Sequence, residues 1–240
     1  MLLQKPYMVE EIKEERGNTW TLTVKADGHK GMAFLPGQFA WVTAWENPFS
    51  VSEHPFSISS SAEQSDKVSF TIKELGDFTS TIKDMKKGQT VFLDGPFGAF
   101  SIDRHPHAKG FVFIAGGIGI TPIMSMLLTM KDRSDNRPIV LIYANNEWED
   151  VTFREELNAL EKHLNLKVTH VLVYPPDGWQ GESGFLTAEI LNRYLPEEWK
   201  KNIYEMFICG PPIMMDIVER LLPKLGVSIG DFHSERFDLV

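Results

Sequence analysis

The sequence predicts two units in series, a small antiparallel β-barrel followed by an α/β unit built on a parallel sheet. Three observations carry this. Over roughly its first hundred residues the chain reads as short strands set off by Gly, Pro, Asp and Ser. After Gly110, apolar strands alternate with helical patterns, the order expected of a parallel sheet covered on both faces. Between the two rhythms lies 103-DRHPHAKG-110, a polar connector containing a proline, which places the units at 1–106 and 107–240.

In the first unit the predicted strands are 20–26, 38–44, 55–59, 68–74 and 90–95, with a helix over 78–85 ending at Gly88. Their even spacing suggests a barrel. The run 47-NPFSVS-52 before 54-HPFSISS-60 reads as a turn. In the second unit the predicted strands are 111–115, 138–144, 167–174 and 204–210. Helices are expected over 122–132, 152–164, 187–195 and 211–226. The stretch 110–130 carries no formal charge and is long enough for a bilayer, but Gly116, Gly117, Gly119 and Pro122 interrupt it. Strand, glycine turn and helix describe it better.

Composition removes several classes of function. The net charge of −9, without a long basic run, argues against nucleic acid as the main partner. A single cysteine, Cys209, excludes an intrachain disulfide framework and a cysteine-held iron–sulfur cluster. The start, MLLQKPYMVEEIKEER, lacks the apolar core of a secretory signal, so a cytoplasmic location is the default expectation. No hydrolytic triad and no metal cluster is legible, and His105 and His107, which bracket a proline, read as a solvated loop.

Two turns point to nucleotide chemistry. In 115-AGGIGITP-122 the glycines allow an anion close to the backbone, and the following helix offers unpaired N–H groups. Gly116, Gly117, Gly119, Thr121 and Pro122 are the candidates, with Pro122 at the first helical position. The same turn read as plain structure is a tight strand–helix connection. The second, 209-CGPPIMM-215, again follows an apolar strand and opens a helix, and it adds Cys209, Gly210, Pro211 and Pro212. Carboxyl ends of parallel strands share one edge, so both turns should face one crevice. Cys209 also suits a small buried core residue.

The order HPFSISS, GPFG, AGGIGITP, CGPP, with 36-PGQF-39, 72-IKELGDFT-79 and 232-FHSERF-237, resembles the ferredoxin–NADP⁺ reductase superfamily over nearly the whole chain. The likeness is greatest to the dehydrogenase domain of the ferric reductase and NADPH oxidase family. That resemblance implies bound FAD, a hydride passed to it from NAD(P)H, and single electrons passed on to an external acceptor. The family's Arg-x-Tyr-Ser flavin motif stands here as His54-Pro55-Phe56-Ser57. By the likeness Phe56 lies along the flavin and Ser57 bonds near its N5, where a hydroxyl can donate or accept. His54 lies toward the pyrophosphate side, its alternative being a surface or capping histidine. Ile72, Lys73, Gly76 and Thr79 resemble the flavin phosphate site, though the segment also reads as a strand ending in a turn. Glu235 and Phe237 match the terminal acidic–aromatic pattern, with Glu235 and Cys209 flanking the nicotinamide. Phe237 is equally suited to the core, since Asp238, Leu239 and Val240 follow it where relatives often end.

Coenzyme choice turns on 143-YANNEWED-150, which carries Glu147, Glu149 and Asp150 but neither Lys nor Arg. The oxidase relatives have an arginine about where Asn145 stands. An acidic loop repels a 2′-phosphate, so NADH is favoured, with NADPH possible. The acceptor is not written in the chain: a ferric chelate or quinone, a haem or iron–sulfur protein, or a membrane partner all fit. The rival readings are a free-flavin reductase and a slow electron-transfer or sensor subunit.

Overall fold

The computed structural model describes residues 4–44, 53–197 and 203–237; the predicted turn at 47–52 and residues 238–240 lie outside them. The first unit is a six-stranded antiparallel sheet: β1 (Lys5–Glu14), β2 (Thr19–Ala26), β3 (Phe39–Thr43), β4 (His54–Ser57), β5 (Lys67–Lys73) and β6 (Thr90–Phe97). Its order is β4-β3-β6-β1-β2-β5, and a bridge between Ile58 and Phe70 brings the two edges together, closing a barrel. Closure removes both edges and lets alternate residues such as Leu22, Val24, Val68, Phe70 and Ile72 fill the interior. The helix expected over 78–85 is a single turn, α1 (Asp77–Ser80), followed by a 3₁₀ turn over 82–84.

Strand β1 was not expected. Half of its ten residues are charged, and only Tyr7 and Val9 are buried. Its place is fixed by backbone pairing to β2 and β6 on its two sides, with a register shift between Val9 and Glu11.

The second unit is a six-stranded parallel sheet. Its strands are β7 (Gly110–Gly116), β8 (Ile139–Asn145), β9 (Leu166–Leu172), β10 (Glu182–Ser183), β11 (Tyr204–Gly210) and β12 (Phe232–Arg236), in the order β10-β9-β8-β7-β11-β12. One face buries Phe111, Phe113, Phe207 and Cys209 beneath α2 (Ile120–Asp132) and α3 (Arg154–Leu160). The other buries Val112, Ile114, Met206 and Ile208 beneath α4 (Ala188–Tyr194) and α5 (Pro212–Leu221). The uncharged 110–130 stretch is β7, a turn and α2, and no helix among the described residues is long and apolar enough to cross a membrane.

Helix boundaries depart from expectation in three places. α3, expected over 152–164, spans only Arg154–Leu160. α2 begins at Ile120, so Pro122 occupies its third rather than its first position, still within the turn whose N–H groups have no helical partner. α5 stops at Leu221 instead of 226, because Pro223 supplies no N–H and Gly226 turns left-handed (φ +93°).

The units are packed together as well as joined. The Ser125 hydroxyl of α2 donates to the Ser60 carbonyl (2.7 Å), and Thr129 Oγ1 accepts from the Ala62 amide (2.9 Å). Arg133 pairs with Asp103 and Glu63 (both 2.6 Å). Gly37, at φ +99°, is so close to the Phe100 carbonyl and Met126 that a Cβ would stand 2.2 Å from the former. The segment after β4 is thereby seated on the first helix of the parallel sheet.

Candidate cofactor and nucleotide site

The barrel end of the site is assembled by strand register. Phe39 on β3 pairs with Ser57 on one side and Phe97 on the other, so PGQF, HPFS and GPFG lie on three adjacent strands. The Gln38 side chain fastens them, its Nε2 donating to the Gly98 carbonyl at 3.0 Å. The fourth segment arrives through stacking. Phe78 of α1 lies 3.9 Å from the His54 ring at 19° and 6.0 Å from Phe56 at 17°. His54 is thus one of three near-parallel rings, and burial lowers its pKa, favouring the neutral imidazole.

Ser57 is the side chain that most clearly awaits a ligand. It is buried (4 % exposed), and its hydroxyl has no hydrogen-bond partner among the described residues. An orphaned buried hydroxyl costs stability unless something outside the chain satisfies it. It fits a heteroatom of a flat ring system such as a flavin. Pro55 is exposed beside it.

The segment 72–79 is more self-contained. Ile72 is in the barrel core, leaving only its backbone to face a ligand, while Lys73 is half-buried at the strand end. Thr79 Oγ1 accepts from the amides of Leu75 (2.8 Å) and Gly76 (2.9 Å). A phosphate at this turn would share or displace those bonds.

On the parallel sheet, β7 and β11 are neighbours, yet their connections leave toward opposite faces. This is the reversal point where crevices form outside the carboxyl ends of strands. The two glycine turns touch there through bare backbone. A Cβ on Gly119 would stand 2.3 Å from the Cys209 carbonyl oxygen, and one on Gly210 would stand 3.0 Å from Gly116 Cα. Gly116 is equally closed off, by Met214 and Pro211. Gly117 differs: at φ +50° its missing side chain faces open space, leaving room for an anion beside the backbone. Thr121 donates its hydroxyl to the Ile118 carbonyl (3.0 Å), and Pro212 starts α5 at its first position. The buried Tyr143, not singled out in the sequence, donates to the Gly117 carbonyl (3.1 Å) and pins that turn.

Register also puts Glu235 opposite Cys209 across β11 and β12. Cys209 is wholly buried, which pushes its thiol pKa well up, with the Glu235 charge adding to the effect. Glu235 is half-buried, and loss of solvation raises its carboxyl to about 7. Phe237 packs against the core beneath α2. At the end of β8, Asn145 is buried and its Nδ2 has no hydrogen-bond partner among the described residues. Glu147 and Glu149 are exposed beyond it. A cation lies closer than the segment 143–150 suggested: Arg154 sets its guanidinium over Trp148 at 4.4 Å and donates to the Trp148 carbonyl. In the connector, His107 is exposed, but His105 is half-buried against Glu205 and His233, unlike the solvated loop expected.

Comparison with known proteins agrees with this geometry. Residues 7–101 match an FAD-binding domain family, and residues 113–220 match the oxidoreductase NAD-binding domain family. NADH-cytochrome b5 reductase 2 of Phaeosphaeria nodorum is 32% identical over 206 residues, covering 82% of this chain and 60% of the relative. The plasma membrane-associated coenzyme Q6 reductase of Saccharomyces cerevisiae is 32% identical over 65% of this chain and 50% of the relative. This chain therefore spans about half to three-fifths of their lengths. A ferredoxin NADP⁺ reductase from Neisseria gonorrhoeae, solved with FAD and NADP, superposes with a TM-score of 0.81 at 21% identity, covering 98% of this chain and 99% of that one. The chain therefore carries an FAD-binding domain followed by an oxidoreductase NAD-binding domain, arranged in the two-domain ferredoxin–NADP⁺ reductase fold.

Proposed function

We propose that this chain is an NADH-dependent flavin reductase module, with residues 1–106 holding FAD and 107–240 holding the coenzyme, that delivers electrons one at a time to an external acceptor. The observation that carries the reading is the buried, unpartnered Ser57 hydroxyl. It lies three residues before Ser60, whose carbonyl is held by the helix following the glycine turns. FAD, when bound, would supply the chemistry: it can take up one hydride and release that hydride's two electrons one at a time. The chain's own residues position and exclude. Ser57 offers a hydroxyl that donates or accepts at the ring's reactive nitrogen. Phe56 supplies an apolar surface, and His54, whose burial favours the neutral imidazole, lies toward the phosphate turn at Gly76. Gly117 leaves the space for the coenzyme's pyrophosphate, and Glu235 with Cys209 backs the nicotinamide.

NADH is favoured because the groups beyond Asn145 are acidic and exposed, while the nearby Arg154 is engaged with Trp148. We expect kcat/KM to be at least tenfold higher for NADH than for NADPH; a ratio near one, or inverted, rejects that assignment. The names of the relatives favour a haem protein or a quinone as acceptor, and ferric chelates and iron–sulfur proteins fall within the same one-electron chemistry. The decisive experiment measures the flavin in purified protein and NADH oxidation with ferricyanide. Bound FAD with rapid turnover supports the reading. Protein that cannot be loaded with flavin overturns it, and loaded protein with negligible turnover favours a sensor role.

A further inference from the structure

At the opposite, amino-terminal edge of the parallel sheet, far from the glycine turns along the strands, three side chains from distant parts of the sequence converge. His105 comes from the connector between the two units, Glu205 from the second position of β11 and His233 from the second position of β12. Glu205 and Phe207 lie on one face of β11, and His233 is the direct register partner of Phe207. Backbone pairing thus brings the second imidazole alongside the carboxylate. His233 Nε2 is 2.8 Å from one Glu205 oxygen, and His105 Nδ1 is 3.4 Å from the other. The two imidazoles are 4.1 Å apart and both pack on the Phe207 ring, at 5.7 and 5.0 Å. One donor atom from each of the three residues lies within 4.8 Å of the others.

We propose that His105, Glu205 and His233 form a binding site for a first-row divalent transition metal of zinc type, with the fourth position open to water. Two imidazole nitrogens and one carboxylate are a donor set that zinc accepts with tetrahedral geometry. Ligands about 2.1 Å from such an ion stand about 3.4 Å apart, and one donor atom from each residue already lies within 4.8 Å of the others, so binding draws the widest pair in by about 1.4 Å at most. A carboxylate–histidine ion pair accounts for one imidazole. It does not account for the second, which the connector brings face-near to the first and against the same carboxylate. The three side chains keep between a fifth and a third of their surface exposed, so an ion can enter from solvent. The ligands stand at 105, 205 and 233 without any close metal-ligand spacing, which is why the sequence shows no cluster.

The location gives such an ion a structural consequence. It would clip the connector between the units to β12, the edge strand on which Glu235 follows His233 by two residues on the same face. The chain, freed of any polyhistidine tag and treated with chelator, is titrated with zinc chloride by calorimetry. One equivalent should bind, and a single equivalent of cobalt(II) should give the visible d–d absorption of a four-coordinate site. His105→Ala and His233→Ala should each abolish both signals, while His107→Ala and His163→Ala retain them. Absence of one-to-one binding by the unaltered chain, or binding undiminished in the His105 and His233 variants, overturns the proposal. Should either alanine variant fail to fold, the cobalt spectrum of the unaltered chain and the Glu205→Gln variant still decide it. A featureless or octahedral-type spectrum counts against the site, as does an unaffected Glu205→Gln.

Discussion

In the barrel the surface offered to a ligand is made of side chains: the Ser57 hydroxyl, the stacked rings of His54, Phe56 and Phe78, and the Thr79 hydroxyl closing its own turn. At the parallel sheet it is made of bare backbone, with Gly116, Gly119 and Gly210 in contact and Gly117 facing open space. The difference follows from the sheets. An antiparallel barrel places every second side chain at a chosen spot, so chemistry can be written on strands. At a reversal point between parallel strands, helix starts and strand ends crowd together, and the phosphate-binding groups are the amides themselves, which any Cβ obstructs. The two halves should therefore fail in different ways when altered.

The largest effect expected is on the backbone side. In Gly119→Ala the new Cβ would meet the Cys209 carbonyl at 2.3 Å, a backbone atom that cannot turn aside. We expect a loss of about 3 kcal/mol or more, with NADH binding lost in parallel. Gly117→Ala provides the control: the space is open, but φ +50° strains an alanine by about 1–2 kcal/mol. Urea denaturation of the two variants measures the gap. Equal costs would mean that contact between the turns is not what the glycines serve.

The same contrast explains what was legible in the sequence. Glycines between an apolar strand and a helix announce themselves, because the residue type is the function; hence both turns and all four long parallel strands were readable. The barrel's candidate ligand groups are common residues whose meaning lies in register, and HPFS drew attention only through its resemblance to a known motif. Strands β1 and β12 were missed for a related reason. The buried pattern of β1 rests on Tyr7 and Val9 alone, and in β12, FHSER, no residue is fully buried. Both are held mainly by backbone ladders to neighbours, which leave no hydrophobic period to detect. Tyr143 escaped notice, and His105 was read as part of a solvated loop, because their partners, Gly117 in one case and Glu205 with His233 in the other, are remote in sequence.

A sharper and smaller test lies on the side-chain half. Because Ser57 Oγ has no partner among the described residues, Ser57→Ala should leave the flavin-free chain unchanged or up to about 1 kcal/mol more stable. In flavin-loaded protein the same change should slow hydride transfer about tenfold with little loss of flavin, the equivalent of one hydrogen bond. Thermal melts of the free protein and stopped-flow reduction of the loaded protein read the two effects. A free protein destabilised by the change would show that the hydroxyl serves the fold instead.

The smallest effect probes where the contrast is impure, since Glu235 is a titratable side chain on the backbone-built half. Burial raises its carboxyl to about 7 in the folded protein, whereas in the unfolded chain it titrates near the ordinary 4.5. Below about pH 4.5 both states hold the proton and the group contributes fully. Between about 4.5 and 7 the unfolded state releases it while the folded state retains it, so stability falls as pH rises through that window and levels off above it. Glu235→Gln, which cannot ionise, should therefore gain on the unaltered protein as pH increases. The gain should be on the order of 1 kcal/mol at pH 8 relative to pH 5, because the group is only half-buried and partly screened. Any inflection near pH 7 in the rate of hydride transfer should vanish with it. Stability differences that do not change with pH would place Glu235 in ordinary solvent, and the carboxylate would then have no claim on the nicotinamide side of the crevice.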